Sequence, residues 1–171
     1  MSGPRQALIL LFVIAVAQCI WYWPRLPEVV PSHFDGLGHP NGWLSKQGLV
    51  AVYLGVLAGT SLLLGGMTSL LSRTPVALVN LSHKEYWLAP ERAAETWAYL
   101  DRQLGWMAVA TSALLVAVFE LTFRAALAPD HRMPAAGIWI ALGAYLAWTA
   151  GWTIRLIARF DQVPRPSSPI R

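Results

Sequence analysis

The sequence predicts an all-α integral membrane protein, a bundle of four transmembrane helices with an ordered loop between the first two. Three observations carry that prediction. Of 171 residues, 56% are hydrophobic and 13% charged, and the mean hydropathy is +0.46, too apolar for an ordinary water-soluble core. Four stretches, residues 7–23, 48–71, 104–128 and 135–160, approach or exceed the roughly 20 mostly apolar residues that cross a hydrocarbon core of about 30 Å. Lysine and arginine fall unevenly on the two sides those spans define.

The first span begins after Arg5, and Ala15-Val16-Ala17 has the small-x-small form of a signal-peptide cleavage site. The apolar run continues through Ile20, Trp21, Tyr22 and Trp23, so an intact anchor is expected. With the N-terminus inside, Arg5, Arg73, Lys84, Arg92, Arg102, Arg155, Arg159, Arg165 and Arg171 lie in the cytoplasm, and Arg25, Lys46, Arg124 and Arg132 lie outside. Nine against four gives an N-in, C-in topology. Trp21, Trp23 and Trp139 would then mark the outer interface, and Trp106 and Trp152 the inner one.

A pI of 9.6 raises nucleic acid as a partner, but the basic residues form no single face, and their density near the C-terminus reads as a topology signal and a contact with anionic headgroups. No nucleic-acid partner is expected. The single cysteine, Cys19, lies within the first apolar run and excludes both an internal disulfide and a cysteine metal cage. Residues 1–163 form one membrane domain, and the Pro/Ser/Arg tail, residues 164–171, is expected to be disordered.

Small residues recur at every fourth position in two spans: Ala51, Gly55 and Gly59 in the second, Gly143, Ala147 and Gly151 in the fourth. Both stripes read as helix-packing faces, and they are compatible with an oligomer. Tyr145, Trp148 and Trp152 form an aromatic stripe beside the latter, read as packing. In the loop after the second span, Pro75 stops a continuing helix, and Pro90-Glu91-Arg92 predicts a new one from about Pro90 that lies at the inner interface or runs into the third span.

The segment between spans one and two is dense in Gly, Pro and aromatic residues. Val29 to Phe34 reads as extended, Gly36 to Gly38 as a turn, Asn41-Gly42 as a second turn wanting positive φ, and Ser45 as the N-cap of the next span. Its Leu26-Pro27, then Pro31-x-His33-Phe34, then Gly38-x-Pro40-x-Gly42-Trp43-x-Ser45-Lys46 resembles a bacterial domain of unknown function that also forms the N-terminal part of SdpI-type immunity proteins. The later stretch from Asn80 to Arg92 is similar to the segment C-terminal to this motif in many stand-alone members. The resemblance implies a small multi-helix protein of the bacterial inner membrane, and for SdpI itself protection from a secreted toxin and signalling through capture of a repressor. The second helical part of SdpI is not expected within these 171 residues.

A recognition loop made of Pro31, His33, Phe34, Asp35, Gly38, Pro40, Gly42, Trp43, Ser45 and Lys46 is therefore expected, acting on a secreted peptide, another membrane protein or the lipid bilayer. The function expected is non-enzymatic: immunity, sensing or an accessory-subunit role. The alternative is a small-molecule or lipid carrier using the bundle interior. No cofactor is expected. A metal site can be drawn from His33, Asp35, His39 and His131, but no helical His-x-x-x-His fixes its geometry, and His33 and Asp35 more simply satisfy backbone groups of the loop. Ser32 adjoins His33 without an oxyanion hole or elbow to make it a nucleophile. Glu120 and Arg124, four apart, predict an intrahelical ion pair. Glu120 lies about 24 Å along its span, close to the outer interface rather than the midplane that proton-coupled transport requires.

Overall fold

A computed structural model describes residues 3–163; the tail, with Arg165 and Arg171, lies outside the described residues. The order of elements is α1 (Gly3–Tyr22), β1 (Val29–Phe34), β2 (Pro40–Ser45), α2 (Lys46–Leu71), a 3-10 turn (Val76–Leu78), a short α3 (Lys84–Trp87), α4 (Ala93–Leu127) and α5 (Ala135–Asp161). Among the described residues, α1, α2, α4 and α5 are long and apolar enough to cross a membrane, and the chain is a multi-pass membrane protein.

The third span is the one that departs most from its hydropathic window. Its helix begins at Ala93 and runs unbroken to Leu127, 35 residues, or roughly 50 Å by the helical rise. That exceeds a core of about 30 Å, so the first turns, with Glu95, Asp101 and Arg102, project beyond it. Pro90 falls just before the helix, in a turn closed by Arg92 N–H and Ala93 N–H donating to Ala89 O at 2.9 and 2.8 Å. Thr96 Oγ1 donates to Trp87 O at 2.8 Å and ties α3 to the first turn of α4.

α4 is the central element: α1, α2 and α5 all pack on it, and it is the principal neighbour of α5. The buried core comes from one face of each of three helices. Ala15, Cys19 and Tyr22 of α1, Leu49, Tyr53 and Leu57 of α2, and Phe123 and Ala126 of α4 meet beneath Leu26 and Val30. The Tyr53 ring stacks on Phe119 at 4.1 Å, and Tyr22 stacks on Phe123 at 4.9 Å. This core occupies the half of the bundle next to the two-stranded sheet. At the far end, Trp87 Nε1 donates to Phe160 O at 3.0 Å and fastens α3 to α5.

The small-residue stripes do not pack within the chain. Ala51, Gly55, Gly59, Gly143 and Ala147 are exposed, and a Cβ added at Gly55, Gly59, Gly143 or Gly151 would meet nothing within 4 Å. The reason on α2 is angular. At about 100° per residue, Ala51 sits roughly 200° from Tyr53, so bulky Leu49, Tyr53 and Leu57 take the inner face and the glycines point away.

Candidate functional site

Residues 26–46 fold into an antiparallel hairpin. The pairs Val29 with Ser45, Val30 with Leu44 and Pro31 with Trp43 are regular, and the register shifts on both sides of His33, which faces Gly42. Proline is tolerated in β1 because the sheet has two strands and both are edges. A Cβ on Gly42 would lie 2.9 Å from that of His33, so the irregular ladder requires glycine there for space.

One of the two expected turns is absent. Asn41 and Gly42 belong to β2, and positive φ occurs in the hairpin at Gly38, φ 84°. The tip is closed instead by Asp35. Its Oδ1 accepts from the Leu37 and His39 N–H groups at 2.9 and 2.8 Å, while its own N–H donates to His39 O at 2.9 Å and its carbonyl accepts from Gly38 N–H at 3.0 Å. The His39 N–H bond to its carboxylate holds Asp35 below its ordinary acidity value of 3.8.

The base of the hairpin is also closed. Lys46 N–H donates to Glu28 O at 3.0 Å, and Lys46 Nζ pairs with Glu28 Oε1 at 2.8 Å, which lowers the Glu28 carboxyl from its usual value. Ser45 Oγ accepts from Gly48 N–H at 3.1 Å and caps α2.

The hairpin sits on the connection between α4 and α5. Met133 N–H donates to Gly38 O at 3.0 Å, Trp139 Nε1 to Gly36 O at 3.4 Å, and Trp43 meets His131 edge to face at 5.5 Å. His39 joins the two segments through both ring nitrogens: Nε2 lies 2.7 Å from Arg132 Nη2 and Nδ1 lies 3.1 Å from Asp35 Oδ2. Because a guanidinium only donates, Nε2 must accept, and the proton resides on Nδ1 facing the carboxylate. The Asp35–His39–Arg132 chain thus leaves neither imidazole nitrogen free to act as a base.

Within this arrangement the ten expected recognition residues take different roles. Pro31 and Gly38 are buried and build the hairpin rather than its surface. Phe34, half-buried, lines a cleft of about 210 Å³ under the hairpin with Val118, Thr122, Met133 and Ile138. Pro40, Gly42, Ser45 and Lys46 act locally in pairing, capping and closure. His33 is exposed and pairs through Nδ1 with the Asn41 side chain, not with a backbone group. Four large apolar side chains of the hairpin are exposed, Val29 at 59%, Leu37 at 70%, Trp43 at 47% and Leu44 at 38%, beside the exposed polar residues Glu28, His33, Asp35, His39 and Asn41. The four residues of the drawn metal site are not gathered. Asp35 and His39 meet, His33 turns to Asn41 and His131 to Trp43. No group of three or more His, Cys, Asp or Glu suited to a metal forms among the described residues.

A second polar cluster lies directly below, within the helices. Arg124 Nε and the Tyr22 hydroxyl both donate to Glu120 Oε1, at 2.7 and 2.8 Å, and Gln18 Nε2 donates to Oε2 at 3.0 Å. Tyr53 OH donates to Gln18 Oε1 at 2.6 Å. The intrahelical pair is therefore one edge of a network joining α1, α2 and α4. Gln18, Tyr22 and Tyr53 were not among the expected site residues. An amide inside an otherwise apolar first span was the available signal, since a polar group at that depth needs a partner.

No curated protein and no solved structure matches the chain. Residues 10–57, which run from α1 through the hairpin to the middle of α2, match the family model described as Domain of unknown function (DUF1648).

Proposed function

We propose that this is a non-enzymatic protein of the bacterial inner membrane, N-in and C-in, whose hairpin is an extracytoplasmic recognition element in an immunity, sensing or accessory-subunit role. One observation carries the reading. A hairpin clamped at its tip, base and side to the bundle still leaves Val29, Leu37, Trp43 and Leu44 exposed, rigidly held apolar side chains of the kind that bind a peptide or a membrane partner with little ordering cost. The resemblance of the segment to the N-terminal part of SdpI-type proteins supports the same role. The orientation rests on the basic residues: Arg5, Arg73, Lys84, Arg92, Arg102, Arg155 and Arg159 lie at the end opposite the hairpin, against Arg25, Lys46, Arg124 and Arg132 beside it.

Two features speak against the carrier alternative and against catalysis. Both Glu120 oxygens already hold donors, which leaves the carboxylate little capacity for a transported ligand. His39 is engaged at both nitrogens. The test is a Leu37→Ala, Trp43→Ala double variant compared with Glu120→Gln, Arg124→Gln in cells and in co-purification from native membranes. Loss of partner association or phenotype in the hairpin variant, with a smaller effect of the other, is the expected result. The opposite ranking would replace this reading by the carrier one.

A further inference from the structure

The bundle is packed unevenly along its length. Next to the hairpin, α1, α2 and α4 share the buried core; at the other end α1 leans on α4 alone. Pro4 Cβ lies 2.9 Å from where a Cβ on Gly105 would stand, and a Cβ on Gly3 would lie 3.7 Å from the Trp106 ring. On α2, Gly65 and Gly66 reach nothing within 4 Å of an added Cβ. Two recesses that share Leu8 lie between α1 and α2 at this end.

The first recess, about 220 Å³, is lined by Pro4, Arg5, Leu8, Gly65, Asp101 and Arg102, among others. The second, about 350 Å³, continues from the shared Leu8 along Phe12, Val13, Ala58, Ser61 and Leu62. It is apolar except for Ser61, whose hydroxyl donates to Leu57 O at 2.8 Å. Leu62, 76% exposed, forms its outer lip towards the bilayer.

Charge separates the two recesses. Arg5, Arg102 and Asp101 all border the first, for a net charge of +1 among the described residues. Neither arginine takes part in an ion pair among the described residues, and the Arg102 guanidinium carbon rests 5.6 Å from the Tyr99 ring. Two arginines that border one recess beside an apolar groove supply donors suited to the oxygens of a phosphate ester.

We propose that this end of α1, α2 and α4 binds one monoanionic phospholipid, its phosphodiester between Arg5 and Arg102 and one acyl chain in the groove beside Leu8, Phe12 and Leu62. The single negative charge of a phosphatidylglycerol balances the recess. A zwitterionic lipid leaves it positive, and a free anion leaves the apolar groove without an occupant.

The full chain, delipidated in mild detergent, is titrated by native mass spectrometry with phosphatidylglycerol or phosphatidylethanolamine of identical acyl chains. Phosphatidylglycerol should bind at 1:1 about tenfold more tightly, and Arg5→Gln, Arg102→Gln should remove that preference. Asp101→Asn should keep or strengthen phosphatidylglycerol binding, and Leu62→Trp, which fills the groove, should weaken it about tenfold with both arginines intact. Each variant is compared at matched melting temperature without lipid. Equal binding of the two lipids, or an unchanged preference in the arginine variant, overturns the proposal. So does phosphatidylethanolamine binding that equals or exceeds that of phosphatidylglycerol and falls in Asp101→Asn, the mark of an ammonium headgroup held by that carboxylate. Competition by glycerol phosphate as strong as by the lipid would make this a simple anion site and equally overturn it.

Discussion

Gly38 and Met133 hold the hairpin and the α4–α5 connection in backbone contact. The Met133 N–H donates to the Gly38 carbonyl at 3.0 Å, and the Met133 carbonyl oxygen stands 2.1 Å from the point a Gly38 Cβ would occupy. Residues 95 apart in sequence are thereby fixed by a position that only glycine fills.

Gly38→Ala should for this reason cost more than a turn substitution elsewhere in the hairpin. Its φ of 84° is alone worth on the order of 1–3 kcal/mol against alanine, and relief of the backbone overlap requires the hairpin to lift from residues 128–134. The expected result is a lower melting temperature together with faster hydrogen exchange at Met133. Exchange at Met133 equal to wild type would show that the contact does not hold the hairpin down.

The Glu120 cluster should behave as a structural tie between helices. Tyr53→Phe keeps the stack on Phe119 and removes the bond to Gln18, which should cost about 0.6–2 kcal/mol, the range of interhelical hydrogen bonds in membranes. Glu120→Ala strips the acceptor from Gln18, Tyr22 and Arg124 together and should cost more. The Arg124 side chain is two-thirds exposed, 66%, and Arg124→Ala should cost the least of the three. Unfolding in detergent, by urea or heat, gives the ranking; an Arg124→Ala loss equal to that of Glu120→Ala would contradict it.

Acid should loosen the hairpin tip. Bonding by the His39 N–H depresses the Asp35 carboxyl below 3.8. A group whose folded value is depressed stabilises above its unfolded value, and that stabilisation disappears as pH falls through the lower, folded one. Protection of the Leu37 and His39 amides is thus expected to be complete at neutral pH and to fail only in strong acid. The Glu28 carboxyl, lowered by Lys46, gives the same sign at the hairpin base. Hydrogen exchange corrected for intrinsic rates tests this: Asp35→Asn should reduce amide protection already at neutral pH and remove its acid-dependent step, whereas an unaltered step would assign it to another group.

Orientation can be read by chemical labelling. In a Cys19→Ala background, Leu37→Cys should react with a membrane-impermeant thiol reagent in intact cells, and Ser82→Cys only after permeabilisation. Reaction of Ser82→Cys alone in intact cells would turn the protein over and place the hairpin in the cytoplasm.

The four spans were legible in the sequence because a backbone in hydrocarbon must satisfy its own polar groups, which leaves a helix as the one outcome for a long apolar run. The β1 strand, the Ser45 cap and the Glu120–Arg124 pair were legible for a similar reason, each depending on residues within a few positions of one another. Asn41-Gly42 misled because the same dipeptide that favours a hairpin turn is used here for space opposite His33, while Asp35 closes the tip. The small-residue stripes find no partner within the chain for another reason: periodicity identifies a face of a helix without its partner, and α2 buries Leu49, Tyr53 and Leu57 here instead.

By itself the amino-acid sequence determined four helices long and apolar enough to cross a membrane and a structured segment between the first two, since hydropathy and local turn chemistry act over a few residues or a single span. Only the tertiary structure decided that His39 reaches Arg132, that Gln18 joins Glu120 to Tyr53, and that Arg5 and Arg102 border one recess. Those relationships bring together side chains from different helices and loops, and they arise from how α1, α2 and α5 lean on α4, an arrangement that steric fit sets and no local pattern encodes.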